Sequence, residues 1–343
     1  MTFANKPLLP AEPGVALVTG ASGQDGQYLT QRLAEENWEV HGVVSSSRSF
    51  VSNSNANIRL HAVDLNDRQS CFSLIESIRP DVVFNLAGIS SVAKSWEDPA
   101  GTISVNSVAV SSLLEAAWLF QQETGSDLRF IQASSAEIFG NAEEVPQTES
   151  TPIHPLSPYG ASKAFAHHLV QVYRARGLFA SSAILYNHES PKRPPQFVTR
   201  KITSQVARIA LGVGERLRLG NLDARRDWGW APDYVDAMVK IVMHKEPDDF
   251  VIATGVSHSV RDFVSRAFEV AGVQDWENWV EVDEQFVRPT DASEMRGDPA
   301  KARTQLGWSP TVHFDEIVAR MVQNDMKVER LRMERTLAEG NNA

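Results

Sequence analysis

Residues 15–26 constrain the chain more than any other stretch. Val15-Ala-Leu-Val-Thr19 is a short, apolar, β-rich run of the kind found in strands buried on both faces of a parallel sheet. It leads straight into Gly20-Ala-Ser-Gly23-Gln-Asp-Gly26, after which Tyr28, Leu29, Leu33 and Ala34 recur at helical spacing. A strand, a glycine turn and a helix N-terminus in succession form a cradle for a pyrophosphate. The glycines let backbone N–H groups approach, and the helix dipole favours negative charge. The spacing is G-x-x-G-x-x-G rather than the G-x-G-x-x-G of ordinary dinucleotide folds. The expected fold is α/β, a Rossmann-like doubly wound parallel sheet.

Further strands are expected over 39–44, 58–63, 82–88, 129–134, 181–186 and 250–254. Helices are expected over 67–78, 100–121, 159–176 and 234–242, with a long charged helix over 314–337. Ligands of open α/β sheets sit at the carboxyl ends of the strands. That rule gathers the glycines, Asp64 (placed to bond an adenine), the small residues ending the fourth strand, Ser135, Glu137 and Tyr159 at one edge. After the second strand, Val44-Ser45-Ser46-Ser47 stands where NAD enzymes carry an acid, and Arg48 follows. With no carboxylate to repel a 2′-phosphate and a cation nearby, NADP is favoured and NAD is the alternative. Arg48 reads equally well as a solvent-facing loop residue. Pro191, Pro194 and Pro195 mark a chain that has left the first layer. The expected division is an NADP-binding domain of 14–186 with 230–256. A smaller interleaved α/β substrate-binding domain takes 187–229 with 257–330, and 1–13 and 331–343 are tails.

Ser157-Pro-Tyr159-Gly-Ala-Ser-Lys163 pairs a tyrosine with a lysine four residues on. Pro158 suits the start of a helix, which would put both side chains on one face. A lysine ammonium beside a phenol stabilises the phenolate, so the tyrosine pKa is expected to fall towards the working pH and suit it as a base. Alone, the pair is also compatible with a surface tyrosine and an unrelated lysine.

A net charge of −10 argues against a general nucleic-acid or membrane-surface role. Between residues 192 and 226, however, nine lysines and arginines face only Glu215 and Asp223, a local +7 that leaves −17 elsewhere. So one-sided a concentration suits a small multi-anion such as a diphosphate, although any charge run also reads as a solvated face. The single cysteine, Cys71, excludes an intrachain disulfide and a cysteine-based zinc site, and reads as a buried small apolar residue. The adjacent His167 and His168 point about 100° apart on a helix, unsuited to sharing a metal, and read as surface or interface residues. No apolar run of spanning length is evident, and residues 1–10 read as a loose leader lacking signal-peptide features. A cytoplasmic protein is expected.

Taken together, Gly20-x-x-Gly23-x-x-Gly26 and Tyr159-x-x-x-Lys163 resemble the extended short-chain dehydrogenase/reductase family. Further stretches resemble, within it, the GDP-mannose 4,6-dehydratases: Gly23-Gln-Asp-Gly26, Ser134-Ser-Ala-Glu137, Tyr186-Asn-His-Glu-Ser-Pro191, Phe197-Val-Thr-Arg-Lys-Ile202, Gly220-Asn-Leu-Asp223, Arg226-Asp-Trp-Gly229, Phe250-Val-Ile-Ala-Thr-Gly255 and Gly297-Asp-Pro. The resemblance covers about residues 14 to 325. It implies that Tyr159 takes the proton of the sugar 4-hydroxyl while C4 gives up a hydride. Lys163 would hold the tyrosine pKa down, and Ser135 would bond the same oxygen. Glu137 would remove the C5 proton and protonate the departing 6-hydroxyl before the hydride returns to C6; its alternative reading is an exposed loop acid. The resemblance further implies a tightly bound, recycled NADP held by Gly20, Gly23, Gln24, Asp25, Gly26, Arg48, Asp64, Leu65, Leu86, Ala87, Tyr159, Lys163 and His188. The nucleotide sugar would be held by Ser90, Asn187, Val198, Lys201, Gly220, Asn221, Arg226 and Arg288.

The sequence departs from the family pattern at several places. Ser135 stands where threonine is usual and keeps the hydroxyl. Val44-Ser45-Ser46 replaces a Lys-Arg-Arg whose arginines hold the NADP phosphate and help neighbouring subunits meet. After Arg288-Pro289 an acidic pair is kept only as Asp291. The expected activity is conversion of GDP-mannose to GDP-4-keto-6-deoxymannose by a homodimer or homotetramer associating through helices 100–121 and 159–176. The alternatives are a GDP-sugar 4-epimerase acting on a modified or larger sugar, and a non-catalytic nucleotide sensor.

Overall fold

The computed structural model describes residues 13–45, 56–286 and 290–340. The chain begins β1 (Val15–Thr19), α1 (Gln24–Glu35), β2 (Glu39–Val44), β3 (Ile58–Ala62), α2 (Arg68–Ile78) and β4 (Val82–Asn85). The short α3 (Val92–Glu97) and α4 (Pro99–Ile103) follow, then a π-helical turn (Ser104–Val108), α5 (Ala109–Thr124) and β5 (Arg129–Ser135). A 3-10 turn (Ala136–Ile138), α6 (Pro158–Ala175) and β6 (Phe179–Leu185) complete this part.

The next stretch supplies β7 (Asn187–Glu189), α7 (Val198–Ala210), β8 (Leu217–Leu219), β9 (Arg225–Trp230), α8 (Ala231–Val242) and β10 (Asp249–Ile252). The last comprises β11 (Ser257–Ser259), α9 (Val260–Ala271), β12 (Val280–Val282), β13 (Glu294–Met295), α10 (Ala300–Leu306) and α11 (Phe314–Gly340).

Seven parallel strands form the main sheet in the order β10-β6-β5-β4-β1-β2-β3, which reverses direction between β1 and β4. Side chains alternate across it, as the pleat requires. Ala16, Val18 and Phe84 pack with Leu29 and Leu33 of α1 and Met238 of α8. Leu17, Val83 and Phe130 face the opposite core with Leu74 of α2, Leu113 of α5 and Val170 of α6. Both faces are buried, which is why the strands read as continuous apolar runs.

A third core gathers Ile202 and Val206 of α7, Phe263 and Phe268 of α9, and Ile317 and Met321 of α11. Its sheet has β9 at the centre, flanked by β7, β11 and β13, while β8 and β12 pair separately. The buried Asp227 of β9 ties this region to the end of β10. It accepts from the backbone and hydroxyl of Thr254 (2.9 and 2.7 Å), from Gly255 N (2.9 Å) and from Gly297 N (3.4 Å).

Several expectations change. The helix placed at 100–121 runs from Pro99 to Thr124 and is interrupted by the π turn that carries Asn106. By length and composition this run would suffice for a membrane span, contrary to expectation, but more than half of it is buried in the protein, with Leu113 and Leu114 in the core. His168 is exposed, but His167 is buried. It lies on the α6 face that carries Lys163 one turn and Tyr159 two turns earlier, against the sheet, 3.5 Å from the Ser134 hydroxyl and 3.7 Å from Asp249. Cys71 is fully buried as expected, its thiol directed at the Leu65 carbonyl.

The basic stretch is not one anion surface. Arg200 pairs with Asp325, Arg218 with Asp283 and Arg225 with Asp262, all carboxylates remote in sequence. Only Arg193, Lys201 and Arg226 of the nine reach the main cleft.

Candidate active site

The carboxyl ends of β1 to β6 open into one continuous cleft of about 1170 Å³ that extends to β9 and α7. Every described residue of the expected set lines it: the glycine turn, Asp64, Leu65, Leu86, Ala87, Ser90, Ser135, Glu137, Tyr159, Lys163, Asn187, His188, Val198, Lys201, Gly220, Asn221 and Arg226. Arg48 and Arg288 lie outside the described residues.

At one end the cleft has the shape a dinucleotide requires. Gly20 adopts a left-handed φ of +68°. A Cβ at Gly26 would lie 2.3 Å from the Gly20 carbonyl oxygen, so the turn folds onto the start of α1 more tightly than any side chain allows. Behind it, Thr19 Oγ1 accepts from the backbone N–H groups of Leu86 and Ala87, both at 3.1 Å, and donates to Asn85 Oδ1 at 2.6 Å. Asn85 in turn donates to Gln132 at 2.8 Å. These buried bonds fix the ends of β1, β4 and β5 relative to one another.

The groups expected to react come from β5, the 3-10 turn after it and α6. Ser157 caps α6, accepting from Gly160 N at 3.0 Å, and Pro158 occupies the first turn. Tyr159 and Lys163 then share one buried face, with Nζ 6.0 Å from the phenol ring centre. The Ser135 hydroxyl caps the 3-10 turn by accepting from Glu137 N at 3.3 Å, which places Glu137 half-buried at the cleft wall. Gly160 packs against that turn; a Cβ there would stand 2.6 Å from the Glu137 carbonyl oxygen.

Electrostatics at this centre run opposite to expectation. Burial pushes the Tyr159 phenol up to about 12, against a hydrogen bond from Ser135, and Glu137 adds to the rise. Burial also pushes Lys163 down to about 8. The lysine donates to the Ala133 carbonyl at 2.8 Å, which holds its charge at the end of β5.

Asn106, on the π turn, exchanges hydrogen bonds with the backbone of Ile89 (2.9 and 3.0 Å) and donates to Ser162 at 3.1 Å, pinning the loop after β4 to α6.

At the other end, Arg226 is buried and paired with Asp291 at 2.5 Å, and it also donates to the Ala292 carbonyl at 3.0 Å. The Lys201 ammonium sits 3.4 Å from the Phe286 ring centre, with half of that ring exposed.

A family model described as GDP-mannose 4,6 dehydratase matches residues 17–321. The chain belongs to the GDP-mannose 4,6-dehydratase family. It is 43% identical over 329 residues to GDP-mannose 4,6 dehydratase 1 of Arabidopsis thaliana, covering 92% of this chain and 91% of that one. It is 41% identical over 347 residues to the Homo sapiens GDP-mannose 4,6 dehydratase, covering 92% of each. Among solved structures it resembles the Thermus thermophilus UDP-glucose 4-epimerase in complex with NAD. That match has a TM-score of 0.79 at 26% identity, over 91% of this chain and 98% of that one.

Within this dehydratase-family cleft, sequence reasoning missed three participants. Arg193 lines the wall, lies 3.2 Å from the buried Glu189, and its charge works against the rise of Tyr159. Its signal was its place just after the Asn187–Pro191 motif. Asp291 was noted as a remnant of an acidic pair, but not as the partner of Arg226. Phe286 had no signal beyond its proximity to Arg288.

Proposed function

We propose that the protein is a carbon–oxygen lyase that converts GDP-mannose to its 4-keto-6-deoxy derivative using a nicotinamide dinucleotide held at the glycine turn. The observation that carries this reading is the placing of Glu137 two residues past Ser135, on the same cleft wall as Tyr159. A serine, tyrosine and lysine suffice for oxidation at C4. An added carboxyl is what water loss across C5–C6 requires.

A bound nicotinamide supplies a hydride acceptor that returns what it takes and, when oxidised, a positive charge. The chain's own groups do the proton work. Ser135 and Tyr159 hold the sugar 4-oxygen, and Tyr159 receives its proton. Once C4 is a ketone the C5 proton is acidified; Glu137 removes it and protonates the 6-oxygen as it leaves as water. Lys163 orients the ribose side of the site. Lys201 and Arg226, at the far end, suit the diphosphate.

NADP is our choice over NAD, supported by β2 ending at Val44-Ser45 without a carboxylate. The division into 14–186 with 230–256 for the cofactor and 187–229 with 257–330 for the nucleotide sugar is part of this reading. So are a cytoplasmic location and a homo-oligomer formed through α5 and α6. Mass spectrometry of purified protein with GDP-mannose, without cofactor and then with NADP or NAD, tests it. A product lighter by one water is expected. A new chromatographic peak of unchanged mass would refute dehydration in favour of epimerisation, and binding without any turnover would leave a nucleotide sensor.

A further inference from the structure

The first turn of α1 reaches across the cleft floor to the segment that begins the substrate-binding half. Gln24 Nε2 donates to the His188 carbonyl at 3.0 Å, and Gln24 Oε1 accepts from the Ser190 hydroxyl at 2.8 Å. Beside this, Asp25 Oδ2 lies 2.9 Å from His188 Nε2, while His188 Nδ1 lies 2.7 Å from the Tyr186 carbonyl oxygen. A carbonyl oxygen and a carboxylate are both acceptors only, so both ring nitrogens must donate and the ring is an imidazolium. It is nearly buried and stacks on Tyr234 of α8 at 4.6 Å, a face that suits a cation.

Among the described residues, the titratable and charged groups facing it are Asp25 of α1, Tyr234 of α8, and Glu189 and Arg193 of its own segment. Burial opposes the charged form of each partner, yet the pair prevails: His188 is held above its ordinary range and Asp25 below its own.

Asp25 stands between Gly23 and Gly26, where dinucleotide folds take a pyrophosphate. A lone carboxylate there would repel the ligand. His188 sits on β7 next to Asn187, and both pair with β9, the strand that carries Arg226 (Asn187 with Trp228, His188 with Gly229).

We infer that the Asp25–His188 pair is a charge-compensated latch, in which the imidazolium cancels the carboxylate at the cofactor turn and ties that turn to the strand bearing the substrate residues. His188, a lining residue of the cleft, would thus also position the turn through Asp25. The inference rests on the nicotinamide reading above, and it gives the pair a role in retaining a cofactor that must stay bound between hydride removal and hydride return.

The test is cofactor affinity, measured by fluorescence titration of NADPH and NADH into cofactor-free protein whose fold is checked by circular dichroism. H188Q takes away the cation hydrogen-bonded to Asp25, leaving Arg193 to act on that carboxylate without a hydrogen bond, and is expected to weaken binding on the order of tenfold to a hundredfold. The double variant D25N/H188Q removes that charge as well and is expected to recover most of the loss. D25N is read by its pH profile: its cofactor binding should vary less with pH between about 6 and 9 than that of wild type. A double variant as weak as H188Q, or a D25N whose binding varies with pH as the wild type's does, would overturn the latch and leave only lost packing. Wild-type protein that binds neither nucleotide would overturn the cofactor reading itself, and the latch with it.

Discussion

Tyr159 and Glu137 belong to different elements, and Gly160 is where those elements touch. Replacing it by alanine would put a Cβ 2.6 Å from the Glu137 carbonyl oxygen and 3.1 Å from Pro155 Cβ. Carbon–oxygen contacts relax at about 3.3 Å, so one backbone must yield by about 0.7 Å. The obstructing atom is main chain, so no side chain can swing clear. A misplacement of about 1 Å in a catalytic constellation lowers the rate about 100-fold. Gly160→Ala is therefore expected to reduce kcat by about 30- to 100-fold, with a smaller loss of cofactor affinity because the 20–26 turn is untouched. Stability moves less: alanine favours the helix by up to about 1 kcal/mol, while the overpacking costs about 1–3 kcal/mol. Initial rates of GDP-mannose consumption, cofactor titration and thermal melts measure the three quantities. A kcat within about twofold of the parent, equivalent to ~0.4 kcal/mol of barrier, would refute the claim that the spacing across Gly160 sets the site.

Glu137→Gln is expected to keep cofactor and GDP-mannose binding while product formation falls by about 100-fold or more; unchanged turnover would remove Glu137 from the chemistry. Arg226→Ala should chiefly raise the GDP-mannose dissociation constant, by about tenfold or more, and an unaltered affinity in calorimetry would detach the basic region from the diphosphate. Lys163→Met should be inactive yet more stable. With Lys163 depressed from 10.5 to about 8, keeping it charged at pH 7 costs about 3 kcal/mol, of which ~1 is offset by its bond to Ala133. The gain should fade as pH rises through about 8 and vanish by about 10.5, and a lower melting temperature at pH 7 would refute it. Trp96 on α3 and Phe165 and Val172 on α6 are 47%, 49% and 54% exposed, so Phe165→Asp should shift sedimentation towards the monomer; an unchanged oligomer would move the interface elsewhere.

What the sequence made legible was local. The glycine turn could be read because the φ of Gly20 and the close approach at Gly26 admit no other residue, and such backbone demands leave a spacing in the sequence. Tyr159 and Lys163 could be paired because i and i+4 share a helix face. The π turn was not legible, since Asn106 earns its place through Ile89 and Ser162, which are distant in sequence. Nor was the burial of His167, which depends on which side of α6 meets the sheet. The basic run misled for the same reason: Asp325, Asp283 and Asp262 neutralise it from more than thirty residues away.

The reversed direction at Tyr159 is the most instructive of these differences. Sequence proximity argues for a lysine lowering a phenol pKa, and at a half-exposed helix start that argument would hold. Here β5 and α6 close over both groups, and desolvation disfavours phenolate and ammonium alike. The helix geometry that brings the pair together also buries it, so the proposed role of Tyr159 as base calls on charge from groups around the cleft. Arg193 already acts in that direction, while Asp25 acts against it. In the latch proposed above, the His188 charge would offset that of Asp25. The glycine turn, the β7 strand and the Tyr159–Lys163 face therefore act on one another electrostatically, even though the turn lies more than a hundred residues from the other two in the chain.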